Sequence, residues 1–185
     1  MNSAFQTSKE VEEQIEGLKR TLRIYFEGEL QYSYRLQELS YPFEEDEDLK
    51  KILDIFDGAY TMKDILNFEQ DVRVTAVNHE EKLAFYYDTD QKFTEARKKT
   101  LEHYPKDLDL GYPVDFWIEK CDEINASPII ALPSALMDTM VDFSMAKSGY
   151  NVIRIKHKEF DWTLDGAIDV LRRFIKNSKN KNFVW

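Results

Sequence analysis

Cysteine, glycine, proline and histidine are all scarce in this chain, and each scarcity closes a class of function. The single cysteine, Cys121, allows no internal disulfide and no cysteine-based zinc cluster. Six glycines, at 17, 28, 58, 111, 149 and 166, are each isolated, so neither a phosphate loop nor a dinucleotide-binding fingerprint can be assembled. His79, His103 and His157 lack the helical two-histidine spacing of a zinc site. No window approaches the ~18 consecutive apolar residues of a membrane-spanning helix, so no membrane association is expected. The first ten residues carry neither a basic start with an apolar stretch nor an Arg-rich amphipathic pattern, and a cytoplasmic location is the expectation.

Apolar side chains are plentiful. They make up 43% of the 185 residues, and 12 Phe with 10 Tyr supply enough bulk for a sizeable core. A single domain over 1–185 is expected, with an acidic helix-and-hairpin part at 1–110 and an α/β part at 111–185.

Charge divides along the same line. Residues 1–110 hold 25 acids and 15 bases, whereas 111–185 hold 10 of each, so the whole net charge of −10 arises in the first part. It is densest from Glu27 to Asp57, where ten acids face Arg35, Lys50 and Lys51. Such a protein repels phosphate backbones at long range, which disfavours bulk nucleic-acid binding and favours a basic protein surface as partner. Acidic runs also serve plain solubility, and Glu44 to Asp48 also suit a helix N-terminus.

Periodicity predicts a helix over 8–22, capped by Ser8 and carrying Val11, Ile15, Leu18 and Leu22. From Leu22 to Leu36 the apolar residues alternate about Gly28 as in a hairpin, while Leu22, Phe26 and Leu30 also fit a continuing helix; strands are preferred. Helices are expected from Asp46 to Asp57 and from Thr61, where Asp64 completes a capping box. Val72, Val74 and Ala76, then Leu83, Phe85 and Tyr87, flank the turn Asn78-His79-Glu80-Glu81 and predict a hairpin. A polar helix follows over Thr94 to Tyr104. Strands are expected at 113–118, 128–132 and 151–155, with helices at Ala135 to Lys147 and after a cap at Thr163. The fold class predicted is α+β, N-terminal helices and hairpins followed by an α/β layer with a mixed sheet.

The order of elements in 111–175, with Gly-Tyr-Pro-Val-Asp at its start and Ser-Gly-Tyr-Asn-Val-Ile-Arg-Ile before the last helix, resembles the core of restriction-endonuclease-like PD-(D/E)xK folds. That resemblance covers the C-terminal third. It implies a metal-dependent nuclease using Mg2+, with Asp115 as one ligand and Glu119 or Asp138 as substitutes for the acid that the strand 129–135 lacks; that strand lacks the family's lysine as well. Asp88-Thr89-Asp90 is similar to the aspartate pair of haloacid-dehalogenase-like phosphatases, although Gln91 departs from their pattern and a plain turn is the preferred reading. Cys121 is read as a passive thiol, and Ser134 lacks the glycines of a nucleophile elbow.

The preferred functional expectation is a non-catalytic acidic binding protein without cofactor. Glu27, Glu29, Tyr32, Tyr34, Glu44, Glu45, Asp46, Glu47 and Asp48 would dock on a basic surface of another protein, as in anti-restriction, anti-CRISPR or immunity inhibitors of nucleic-acid enzymes. Residue usage suits an AT-rich bacterium or its phage. The metal-dependent nuclease is the alternative, and a homodimer through Phe183-Val184-Trp185 a third.

Overall fold

Two helical layers enclose one mixed sheet in the computed structural model, which describes residues 9–181 and residue 183. The first element is helix α1 (Lys9–Tyr25), whose buried Val11, Leu18 and Leu22 recur at helical spacing. It runs through the Leu22–Tyr25 stretch expected to be strand. Glu27 and Gly28 end it with φ of 51° and 97°, so Gly28 closes a helix and turns no hairpin. The proposed cap Ser8 lies outside the described residues.

Strand β1 (Gln31–Arg35) forms as expected and pairs antiparallel with β2 (Arg73–Asn78), which pairs antiparallel with β3 (Leu83–Asp88). Ser33, at φ 51°, interrupts the alternation of β1. Tyr32 consequently packs on the α1 layer, whereas Tyr34 enters the opposite core cluster. The β2–β3 hairpin is the one predicted, and Asn78 Oδ1 closes its turn by accepting from the Glu81 amide at 2.7 Å.

Helix α2 (Glu47–Asp54) stops three residues short of its predicted end, and α3 (Met62–Glu69) begins with the predicted Thr61–Asp64 capping box. Helix α4 (Glu95–Glu102) is capped by Thr94. The strand expected at 113–118 is helix α5 (Val114–Ile124): Trp117 and Cys121, one turn apart, are its buried side chains, and Asn125 ends it at φ 44°. Residues 128–132 are no strand either. They lead into α6 (Ala131–Lys147), where Pro133 sits in the first turn and its missing N–H removes no helical bond. Strand β4 (Asn151–Lys156) matches expectation, while α7 (Ala167–Asn180) starts after Gly166 and not at Thr163, whose hydroxyl bonds Asp161 instead.

The result is an α+β fold with sheet order β1-β2-β3-β4, the last pair parallel and in register from Leu83↔Asn151 to Asp88↔Lys156. The 111–185 part therefore contributes one strand, and it completes a sheet built from the first part. Helices α1 and α7 cover one face, and α2 to α6 cover the other. Gly17 fixes the first layer, because a Cβ there would lie 2.6 Å from the Trp162 carbonyl oxygen. Ala84, Tyr86 and Asp88 of β3 alternate toward the α2–α6 layer, as do Val152 and Arg154 of β4. No described helix is long and apolar enough to cross a membrane.

Candidate functional site: a buried charge network and an acidic cleft

Charges gather in two places. The first lies between the sheet and α4, α5 and α6. Arg154, in the middle of an apolar strand, directs Nη1 at both oxygens of Asp88 (2.7 and 3.0 Å), Nε at Asp142 Oδ1 (2.9 Å) and Nη2 at the Asp138 carbonyl (3.1 Å). The other Asp142 oxygen accepts from Arg97 Nη2 (2.6 Å) and from the hydroxyls of Tyr104 (2.7 Å) and Tyr112 (2.8 Å). Trp117 Nε1 donates to Asp88 at 2.9 Å, which holds this face of α5 inward. Lys92 reaches in from the β3–α4 connection and donates to Asp138 Oδ1 and Ser134 Oγ, each at 3.1 Å.

Asp88, Asp138 and Asp142 thus balance Lys92, Arg97 and Arg154, and all but Lys92 are at most 2% exposed. Buried ions persist only when paired and hydrogen-bonded in this way. Burial raises Asp88 above the usual carboxylate range, with Arg154 opposing. For Asp138 burial also acts upward, but Lys92, Arg154 and Arg97 outweigh it and hold the group below its ordinary value. Lys92 is the mirror case: burial would lower it, yet Asp138, Tyr86 and Asp88 keep it firmly charged. Its contact with Ser134 therefore resembles a nucleophile–base pair in geometry only, since an ammonium cannot take up the hydroxyl proton. Asp138 Oδ2 is buried without a hydrogen-bond partner among the described residues. Burial pushes the Cys121 thiol up to about 11, which makes it inert.

The residues named for nuclease chemistry do not share an environment. Asp115 and Glu119 stand exposed on successive turns of α5, while Asp138 is buried on α6. A Mg2+ ion does not fit here, because the Asp138 charge is already answered by Lys92 and Arg154. Among the described residues no group of three His, Cys, Asp or Glu side chains is placed to hold a metal. Of the Asp88–Asp90 pair, only Asp88 joins the network; Asp90 faces Lys158 at 3.3 Å.

The second gathering is a surface cleft of about 300 Å3 lined by Tyr25, Phe26, Glu27, Glu29, Asn78, Glu80 and Glu81. No lysine or arginine lines it. The left-handed turn after α1 places Glu27 and Glu29 there, and the β2–β3 turn adds Glu80 and Glu81 from the other side. Glu80 shares this cleft with Glu29, and hydrogen bonding to Glu80, then the Glu80 charge, raises Glu29 above its ordinary value of 4.5. Lys179 answers Glu81 at 2.6 Å, whereas Glu27, Glu29 and Glu80 have no ion-pair partner among the described residues.

The remaining predicted docking residues are distributed differently. Glu44 and Glu45 are exposed, ahead of α2. Two residues are corrected. Asp46 is 5% exposed and caps α2 through the Asp48 and Leu49 amides while pairing with Lys147 at 2.7 Å. Tyr34 is 4% exposed in the core, and neither presents itself to a partner. Glu47 pairs with Lys50 at 2.6 Å, and Asp48 with Lys51 and Lys147 at 3.0 Å. The Tyr32 hydroxyl is turned to the Lys19 carbonyl on α1. The sequence reading missed Glu80 and Glu81 at the cleft, although they stand out as an acidic pair in a predicted turn. It also missed Asp142 and Arg154, for which the signal was charge inside apolar runs and the Asp138–Asp142 spacing of one helical turn, and Lys92 and Arg97, whose polar sequence surroundings carry no such signal.

No family model matches the chain, and no curated protein or solved structure matches it.

Proposed function

We propose that this chain is an acidic binding protein that docks the cleft formed by Glu27, Glu29, Glu80 and Glu81 on a basic surface of another protein. The observation that carries this reading is the gathering of Glu27, Glu29 and Glu80, none with an ion-pair partner among the described residues, in a cleft without a lining cation. Like charges held together are costly alone and are relieved when a lysine or arginine enters between them. Tyr25 and Phe26 supply aromatic contact area beside the acids, as protein interfaces do. The buried network cancels internally, so the −10 of the chain resides outside it. A partner surface rich in arginine and lysine is that of an enzyme or factor that binds nucleic acid, and occupying it makes this chain an inhibitor of the anti-restriction, anti-CRISPR or immunity kind.

The test is competition with DNA. Purified protein is titrated against a panel of restriction and CRISPR nucleases, and displacement of labelled duplex is read at rising salt. Displacement that weakens with salt, is lost in Glu27→Lys/Glu29→Lys/Glu80→Lys and survives Glu44→Lys/Glu45→Lys is expected. Equal loss in both variants would assign the effect to net charge and overturn the cleft; no displacement across the panel would overturn inhibition.

A further inference from the structure

A second groove lies on the opposite side of the α1 C-terminal turns, between α1 and the segment 162–169 that leads into α7, and encloses about 450 Å3. Large hydrophobic side chains exposed to solvent are few among the described residues: Ile24 and Leu164, each 57% exposed, and Ile129. Two of these three line this one groove, from opposite lips, over the buried ring of Trp162. Charge divides across the lips as well. Arg20 stands on the α1 side and Asp165 on the other, and neither has an ion-pair or hydrogen-bond partner among the described residues.

We propose that this groove is a self-association face whose occupant is a second copy of the same chain. A twofold axis running along the groove, in the plane of contact, sets the Arg20 and Ile24 lip of each copy against the Leu164 and Asp165 lip of the other. The patch is therefore complementary to its own image, the condition an isologous interface must meet. A foreign surface of one charge sign would be attracted by one lip and repelled by the other; a copy turned through half a revolution satisfies both. The apolar centre with a charged rim follows the usual anatomy of such contacts. Two molecules that each carry −10 repel at long range, so the dimer is weak, depends on concentration and tightens with moderate salt. This face is separate from the acidic cleft, and neither proposal rests on the other.

The experiment is sedimentation equilibrium on the full chain over a concentration series. Wild type is expected to pass from 21.9 kDa toward twice that mass. Twofold symmetry makes every substitution count twice, so Arg20→Glu and Asp165→Lys should each weaken the dimer about tenfold, the equivalent of two modest rim contacts. The double variant, with the charges exchanged, should recover wild-type association, and Ile24→Glu should abolish it. Thermal melts of all four variants check that these exposed substitutions leave the fold intact. A wild type that stays monomeric throughout, single variants that associate as wild type does, or a double variant as weak as the single ones would each overturn the proposal.

Discussion

The buried network and the acidic cleft treat the same side chains in opposite ways. Between the sheet and α6, three carboxylates are matched by three cations, with hydroxyl and indole donors filling most of the remaining acceptor positions. At the cleft, Glu27, Glu29 and Glu80 sit together without a cation. The difference is solvent. Desolvating an ion costs several kcal/mol unless a partner compensates, whereas water screens like charges at a surface well enough for them to be held side by side. Charge inside the protein is therefore architecture, and only charge outside is left over for a partner.

The strongest way to break this contrast is Arg154→Met, which leaves Asp88 and Asp142 buried without their shared cation. A loss of about 3 to 5 kcal/mol is expected, read as a lower urea midpoint. Lys92→Met should cost less, about 1 to 2 kcal/mol, because Lys92 lies at the solvent edge of the network and Arg154 still stands near Asp138. Should Lys92→Met equal Arg154→Met in cost, the network would have no graded edge.

The contrast is sharpened by acid. At Asp46 burial acts upward, but bonds from Lys147, Tyr41 and the Leu49 amide prevail and hold its carboxyl below the ordinary 3.8. A group depressed in the folded state contributes stability above its unfolded value and loses it as pH falls through the folded one. Asp46→Asn keeps a capping side chain, so it should flatten the acid limb of the stability–pH curve below about pH 4 while leaving α2 in place. An unchanged acid limb would show that the Lys147 contact does not couple to folding.

The smallest expected effect on stability is at the cleft. Glu29→Gln should leave the urea midpoint unchanged, since the side chain is exposed and its neighbour Glu80 repels it. Its signature is in binding. Glu29 is raised above 4.5, so capture of a basic protein by wild type should strengthen as pH rises through that range, and the Gln variant should lose this slope. A slope that persists in the variant would place the titrating group elsewhere.

Local patterns were legible wherever the period of the side chains and the cap residues agreed. The Val72–Tyr87 hairpin, the Thr61–Asp64 box and the Asn151–Ile155 strand were all readable from sequence. Misreadings arose where an apolar run had no period of its own. Val114-Asp115-Phe116-Trp117-Ile118 suits a strand by composition, whereas in the fold it is helical, with Trp117 and Cys121 buried one turn apart and Trp117 meeting Asp88 across the core. The 128–132 run also suited a strand, yet α6 begins within it at Ala131 and takes Pro133 into its first turn. At β1, Tyr32 and Tyr34 looked like partners on one face until the left-handed Ser33 separated them.

For the candidate sites, sequence determined the supply of charge, its excess in the first 110 residues and the want of metal-binding or phosphate-binding motifs, because those are counts and spacings along a chain. Tertiary structure alone decided which acids are answered and which are free. Asp46 and Asp48 found Lys147 a hundred residues away, Asp88 found Arg154, and Glu29 was brought beside Glu80. The reason is physical: whether a carboxylate is neutralised depends on its distance to a cation and on the water left around it, and both are set by how the sheet and its two helical layers close.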